Sequence, residues 1–181
     1  GQLWGNPIYD WEAMDKDGYK WWVERLRESF KIYDIVRIDH FRGFESYWEI
    51  PAGSDTAAPG KWVKGPGYKL FAAVKEELGE LNIIAEDLGF MTDEVIELRE
   101  RTGFPGMKIL QFAFNPEDES IDSPHLAPAN SVMYTGTHDN NTVLGWYRNE
   151  IDDATREYMA RYTNRKEYET VPHAMLRTVF S

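Results

Sequence analysis

The sequence predicts an α/β fold built from parallel β/α units. Two observations predict it. Apolar runs of strand length alternate with stretches of helical periodicity, in the order helix, strand, helix, strand, helix, strand, strand, helix. Strands separated by crossovers pair in parallel. In addition, three of the four strands end in a carboxylate, at Asp39, Glu86 and Asp139. In parallel β/α architectures the functional residues gather at the carboxyl ends of the strands.

Taken in order, residues 1–10 read as a loop. Gly, Asn and Pro surround Trp4 without periodicity, so Trp4 is either a local anchor or a ligand-stacking platform. Asp17 to Tyr33 reads as a helix capped by Asp17, with Trp22, Leu26 and Phe30 four apart and Val23 widening the apolar stripe. The run from Asp34 to Asp39 reads as a buried strand because Ile35, Val36 and Ile38 are β-branched. Alternation along that strand puts Arg37, Asp39 and Phe41 on one face. Gly43 to Gly67 is long and irregular, and its length and embedded aromatics favour a functional loop over disorder.

A helix from Tyr68 to Leu78 ends at Gly79. The run 81–89 repeats the first strand, again ending in acids. Thr92 is placed to cap a helix reaching about Arg101, with Gly103 after it. Gly106 to Phe114 is a third strand, and Ser131 to Asn141 a fourth. The link between them carries Pro124 and Pro128 and no clear helix. Helical pattern resumes over residues 153–162 and from Thr170 onward. The chain opens on Gly1 rather than Met and closes in an apolar helical run, so an excised piece of a larger protein is expected.

The formal net charge of −11 argues against nucleic acid, where a basic footprint would be expected, and disfavours an anionic membrane surface. No apolar run approaches a membrane span. The chain has no cysteine, hence no disulfide framework and no thiolate metal site, which fits a cytoplasmic setting. Seven Trp and ten Tyr suit a surface that stacks on sugar rings, although the same residues fill cores.

Each candidate site has two readings. Arg37 beside Asp39 keeps the acid ionised, as a nucleophile requires, or is a structural ion pair. Glu86 and Asp87 are a catalytic acid and its neighbour, or an acidic pair capping a helix. His138 to Asn141 carries a third carboxylate, or is a turn made of turn-forming residues. Acids at equivalent strand ends in an aromatic-rich chain suit glycoside chemistry, in which one carboxylate attacks the anomeric carbon and another protonates the leaving oxygen. A divalent metal is the competing use of these acids. Arg37 opposes a cation at Asp39, and no His-x-His or His-Glu-x-x-His spacing occurs; no metal and no cofactor is expected.

At these motifs the sequence resembles the bacterial 4-α-glucanotransferases, or amylomaltases, of glycoside hydrolase family 77. The matching pieces are the opening Gly-Gln-Leu-Trp-Gly-Asn-Pro with Tyr9, Arg37 through Gly43, Thr56-Ala57 leading to Trp62 through Gly67, Ile84 through Gly89, Gly103 through Met107, and Thr137 through Asn140. They cover essentially the whole chain. The resemblance implies a partial TIM (β/α)8 barrel, about strands four to seven, with residues 1–181 a fragment of that catalytic domain. It implies retaining transfer between α-1,4-glucans, with no nucleic-acid or membrane partner. By it, Asp39 is the nucleophile, Glu86 the general acid/base and Asp139 the third carboxylate. Arg37 orients Asp39, His138 contacts the sugar, and Trp4 sits on a loop covering the glucan. Two alternatives stay open: a hydrolase or debranching enzyme of the same superfamily, and a glucan-binding module without catalysis.

Overall fold

The computed structural model describes residues 3–181. Gly1 and Gln2 of the opening motif lie outside the described residues. The chain divides into two compact units, the first ending at Pro105 and the second running Gly106–Ser181.

In the first unit an irregular segment over residues 3–10 leads to a short helix, α1 (Trp11–Lys16), capped by Asp10, whose carboxylate accepts from the Ala13 amide. Helix α2 (Lys20–Phe30) follows. It starts later than the sequence suggests, because Tyr19 turns into the left-handed region (φ 55°) as its N-cap. Asp17 still accepts from the Lys20 amide at 3.3 Å. The expected stripe is the buried face: Trp22, Val23 and Leu26 are buried and Phe30 is half-buried. Strand β1 (Val36–Ile38) leads into a 3-10 turn over Phe41–Phe44.

Next come β2 (Ser46–Glu49) and β3 (Lys61–Lys64), an antiparallel pair in which Trp48 faces Trp62. The expected irregular loop therefore contains a hairpin. Helix α3 (Tyr68–Leu78) ends at Gly79 with φ 76°, a conformation glycine adopts without steric cost. Strand β4 (Ile83–Ala85) is wholly buried and pairs in parallel with β1. Helix α4 (Asp93–Thr102) begins after Thr92 and ends at the left-handed Gly103, at the expected positions. The Thr92 side chain makes no capping hydrogen bond.

The core of this unit gathers α2, α3 and β4 around Phe41, Phe44, Leu70, Phe71 and Ile83. Phe41 and Phe71 stack at 5.4 Å between ring centroids, and Phe104 meets Phe71 edge-on at 5.5 Å. Much of the aromatic content is thus core. Trp11 and Trp22 lie 6.3 Å apart, and Trp22 meets Phe44 at 5.2 Å.

Two features of the first strand need correction. Ile35 is exposed and Val36 only half-buried, so the run is not buried throughout. Phe41 does not alternate with Arg37 and Asp39 on a strand face, because the strand ends at Ile38 and Phe41 turns into the core.

In the second unit, β5 (Gly106–Ile109) runs into a 3-10 turn over Leu110–Ala113, shortening the predicted third strand. Strand β6 (Ser131–Tyr134) pairs in parallel with β5, Ile109 opposite Tyr134. Helix α5 (Val143–Asn149) has no counterpart in the sequence reading. Helices α6 (Asp153–Tyr162) and α7 (Val171–Val179) match theirs, capped by Asp152 and Thr170. Their shared core contains Leu110, Phe114, Trp146, Met159 and Met175. Among the described residues no helix is long and apolar enough to cross a membrane.

Candidate active site

Parallel pairing in the first unit sets the site. The register places Arg37 opposite Ile84 and Ile38 opposite Ala85. Asp39 and Glu86 are the next residues on each strand, so two acids leave neighbouring strands at the same level. The amide of Glu86 still donates to the Ile38 carbonyl at 2.9 Å, holding the level one residue past the pairing.

Arg37 Nη2 donates to Asp39 Oδ1 at 2.6 Å. The guanidinium is only a quarter exposed, whereas the Asp39 carboxylate is 59% exposed. A charge-assisted bond from a partly buried cation to one oxygen orients the acid, while the carboxylate stays largely exposed. The pair is therefore both structural and compatible with a nucleophile; the two sequence readings are not exclusive.

Glu86 is half-buried and held differently. Its Oε2 accepts from the His40 amide at 2.7 Å and its Oε1 from the Leu88 amide at 2.9 Å. The Phe41 amide also donates to the Glu86 backbone carbonyl at 3.1 Å. This requires His40 to adopt a left-handed conformation, φ 49°, uncommon for a residue with a Cβ. Each carboxylate oxygen keeps a lone pair free for a further partner. Asp87 turns away: its nearly buried carboxylate pairs with Arg99 of α4 at 3.4 Å. The helix-capping reading of the acidic pair fails for both residues, because α4 starts only at Asp93.

Asp139 and His138 stand in the second unit, both exposed, with His138 Nε2 3.4 Å from Asp139 Oδ1. Asp139 is not at a strand end, since β6 stops at Tyr134. It sits on a tight turn, as the turn reading expected. Asn140 Oδ1 accepts from the Thr137 amide at 2.8 Å and from its hydroxyl at 3.1 Å, and the Asp139 amide donates to Thr137 Oγ1 at 3.3 Å. Trp4 lies on the irregular segment before α1 and is 72% exposed.

Sequence reasoning missed Gln111. It is buried, and its Nε2 donates to the Asn141 carbonyl at 3.1 Å, fixing the end of the Asp139 turn. Gly136 is glycine for the same reason, since a Cβ there would come within 2.9 Å of Gln111 Nε2. A polar residue inside an apolar run was the available signal. Among the described residues no three His, Asp or Glu side chains come together as a metal site.

Comparison with known proteins gives the family of the chain. The family model described as 4-alpha-glucanotransferase, glycoside hydrolase family 77, matches residues 1–181. The 4-alpha-glucanotransferase of Streptococcus pneumoniae serotype 4 is 98% identical over 181 residues, all of this chain and 36% of that protein. That of Thermus thermophilus is 50% identical over 97% of this chain and 36% of that protein. The chain thus spans about a third of the length of these relatives.

Among solved structures, amylomaltase from Streptococcus agalactiae in complex with acarbose superposes with a TM-score of 0.92 at 45% identity, covering 98% of this chain and 36% of that one. Amylomaltase from Corynebacterium glutamicum, at 22% identity, covers 99% of this chain and 25% of its own with a TM-score of 0.72, a likeness of fold alone. The fold is the α/β fold of these amylomaltase structures. Matched from its first residue to its last, the chain belongs to the 4-alpha-glucanotransferase family, glycoside hydrolase family 77.

Proposed function

We propose that this chain carries the catalytic carboxylates of a retaining 4-α-glucanotransferase, which moves α-1,4-glucan segments between maltodextrins. The activity belongs to the longer enzyme of which the family's members are examples. The observation that supports it best is the in-register exit of Asp39 and Glu86 from β1 and β4, with Arg37 on Asp39. On this reading the two parallel pairs are pieces of one (β/α)8 catalytic domain, about strands four to seven.

In the first step a carboxylate oxygen of Asp39 bonds to the anomeric carbon. The bond from that carbon to the leaving sugar oxygen breaks, and Glu86 gives that oxygen its proton. In the second step a sugar hydroxyl attacks the same carbon. Its proton passes to Glu86, and the bond to Asp39 breaks. Asp139 stabilises the charge that develops on the ring, His138 contacts the sugar, and Trp4 covers the glucan. The exposed carboxylate of Asp39 and the lone pair left on each oxygen of Glu86 suit these two roles. No cofactor or metal enters the chemistry. The substrates are α-1,4-glucans, not nucleic acid or lipid, and the cysteine-free chain fits a cytoplasmic setting.

Incubating the full-length enzyme with maltotriose tests the reading. Glucose plus a ladder of longer glucans, lost on Asp39→Asn, is the expected result. Glucose and maltose alone would make it a hydrolase, and binding without turnover a glucan-binding module.

A further inference from the structure

We propose that Trp62 and Phe90, braced by Arg42, form a stacking platform for a glucose ring of the glucan chain, beside the Asp39–Glu86 strand ends. The proposal rests on the α-glucan reading above.

Both rings stand out from the surface, Trp62 55% and Phe90 76% exposed. They come from different elements. Trp62 lies on β3 of the hairpin, and Phe90 lies on the loop that follows Glu86. Arg42, three residues after Asp39, joins them. Its guanidinium carbon is 4.6 Å from the Trp62 ring centroid and 5.9 Å from that of Phe90. Its Nη1 donates to the Phe90 carbonyl at 2.5 Å. The loops that leave the two acid-bearing strands are thus tied through one cation to two exposed rings.

Trp62 is also fixed from the hairpin side. Trp48 meets it edge-on at 5.4 Å, and Trp48 Nε1 donates to the Ala57 carbonyl at 2.9 Å. Gly60 allows that placement, since a Cβ there would come within 2.2 Å of Trp48 Nε1. Rings already held in place lose little freedom when a ligand covers them. A pyranose offers an apolar C–H face and a rim of hydroxyls. Flat aromatic faces suit the first: the Phe90 ring and the face of Trp62 turned away from Arg42, whose guanidinium lies over the other. The N–H groups of that guanidinium suit the second. The same chemistry explains why two large rings stay exposed next to the acids instead of joining the Phe41–Phe71 core.

The test uses the full-length enzyme. Phe90→Ala is expected to raise KM for maltotriose about ten-fold while kcat stays within about three-fold. It should weaken maltoheptaose binding to the Asp39→Asn form by a similar factor. Phe90→Tyr, which keeps the flat ring, should restore both, and Trp62→Phe should give an intermediate loss without disturbing the hairpin. Unchanged KM and unchanged maltoheptaose binding in Phe90→Ala would overturn the platform. So would a lowered Tm with KM unchanged, which would mean that the rings pack against protein. A wild-type enzyme that makes no longer glucans would contradict the transferase reading, while maltoheptaose binding would still report on the platform.

Discussion

The backbone amide of His40 donates to the Glu86 carboxylate at 2.7 Å, across 46 residues of chain. The bond exists because His40 is left-handed at φ 49° immediately after Asp39. One strained backbone corner therefore serves both acids. A β-branched residue pays more for this conformation than glycine does, by roughly 1–2 kcal/mol. His40→Gly is expected to keep kcat within about three-fold of wild type, and His40→Val to lower it by more than about ten-fold. Steady-state kinetics on maltotriose checks this. Loss of activity in His40→Gly would mean that the imidazole, not the corner, matters.

Asn140 makes the corresponding test in the second unit. Its side-chain oxygen takes both the amide and the hydroxyl of Thr137 and so shapes the turn that carries His138 and Asp139. Asn140→Ala removes that acceptor. A displacement of about 1 Å in a catalytic carboxylate costs on the order of a hundred-fold, so kcat should fall by about that factor with little change in Tm. Asn140→Asp, which keeps an oxygen acceptor, should recover part of it.

The acids were legible in the sequence because apolar runs ended abruptly in charge, and at Asp39 and Glu86 the strands do end there. Asp139 was legible as an acid and as part of a turn, but not as five residues past its strand. Its position depends on Thr137, Asn140 and the buried Gln111, none of which carries a charge or a period. The split between Glu86 and Asp87 was not legible either. Two adjacent acids look alike in one dimension; their partners distinguish them, Arg99 of α4 for Asp87 and the His40 and Leu88 amides for Glu86. Helices α1 and α5 escaped because six and seven residues are too few to show a periodic stripe. The hairpin escaped because its strands are four residues each among Gly and Pro, with its Trp pair formed across the strands.

Gly65 is the tightest backbone approach in the hairpin. A Cβ there would come within 2.4 Å of the Phe44 carbonyl oxygen and 2.8 Å of that of Gly43, and backbone cannot yield cheaply. The Gly65 amide also donates to the Glu45 carbonyl at 2.8 Å. Gly65→Ala should destabilise the protein by roughly 2 kcal/mol or more, read as a lower Tm by calorimetry. The Gly18→Ala exchange, at a positive-φ glycine with open space around it, should cost less.

A pH effect on stability is expected from Glu169. The Arg177 guanidinium grips this buried carboxylate with two bonds of 2.9 Å and holds its pKa down at about 2, against an ordinary 4.5. Because the folded pKa is the lower one, the contribution is full above about pH 4.5 and is lost as pH falls toward about 2. Wild type should therefore lose Tm faster than Glu169→Gln across that window, with the two curves parallel above it. Parallel curves throughout would mean that the pair contributes no pH dependence.

The central claim is that Asp39 bonds covalently to the sugar. The most direct measurement is mass spectrometry of peptides from the full-length Glu86→Gln enzyme after reaction with an α-maltosyl fluoride donor. Its activated leaving group removes the need for an acid in the first step, and the missing base slows the second. The account predicts one maltosyl unit on the peptide that contains Asp39, absent from the Asp39→Asn, Glu86→Gln double variant. A label on another carboxylate, or no label in an enzyme that still consumes the donor, would contradict it.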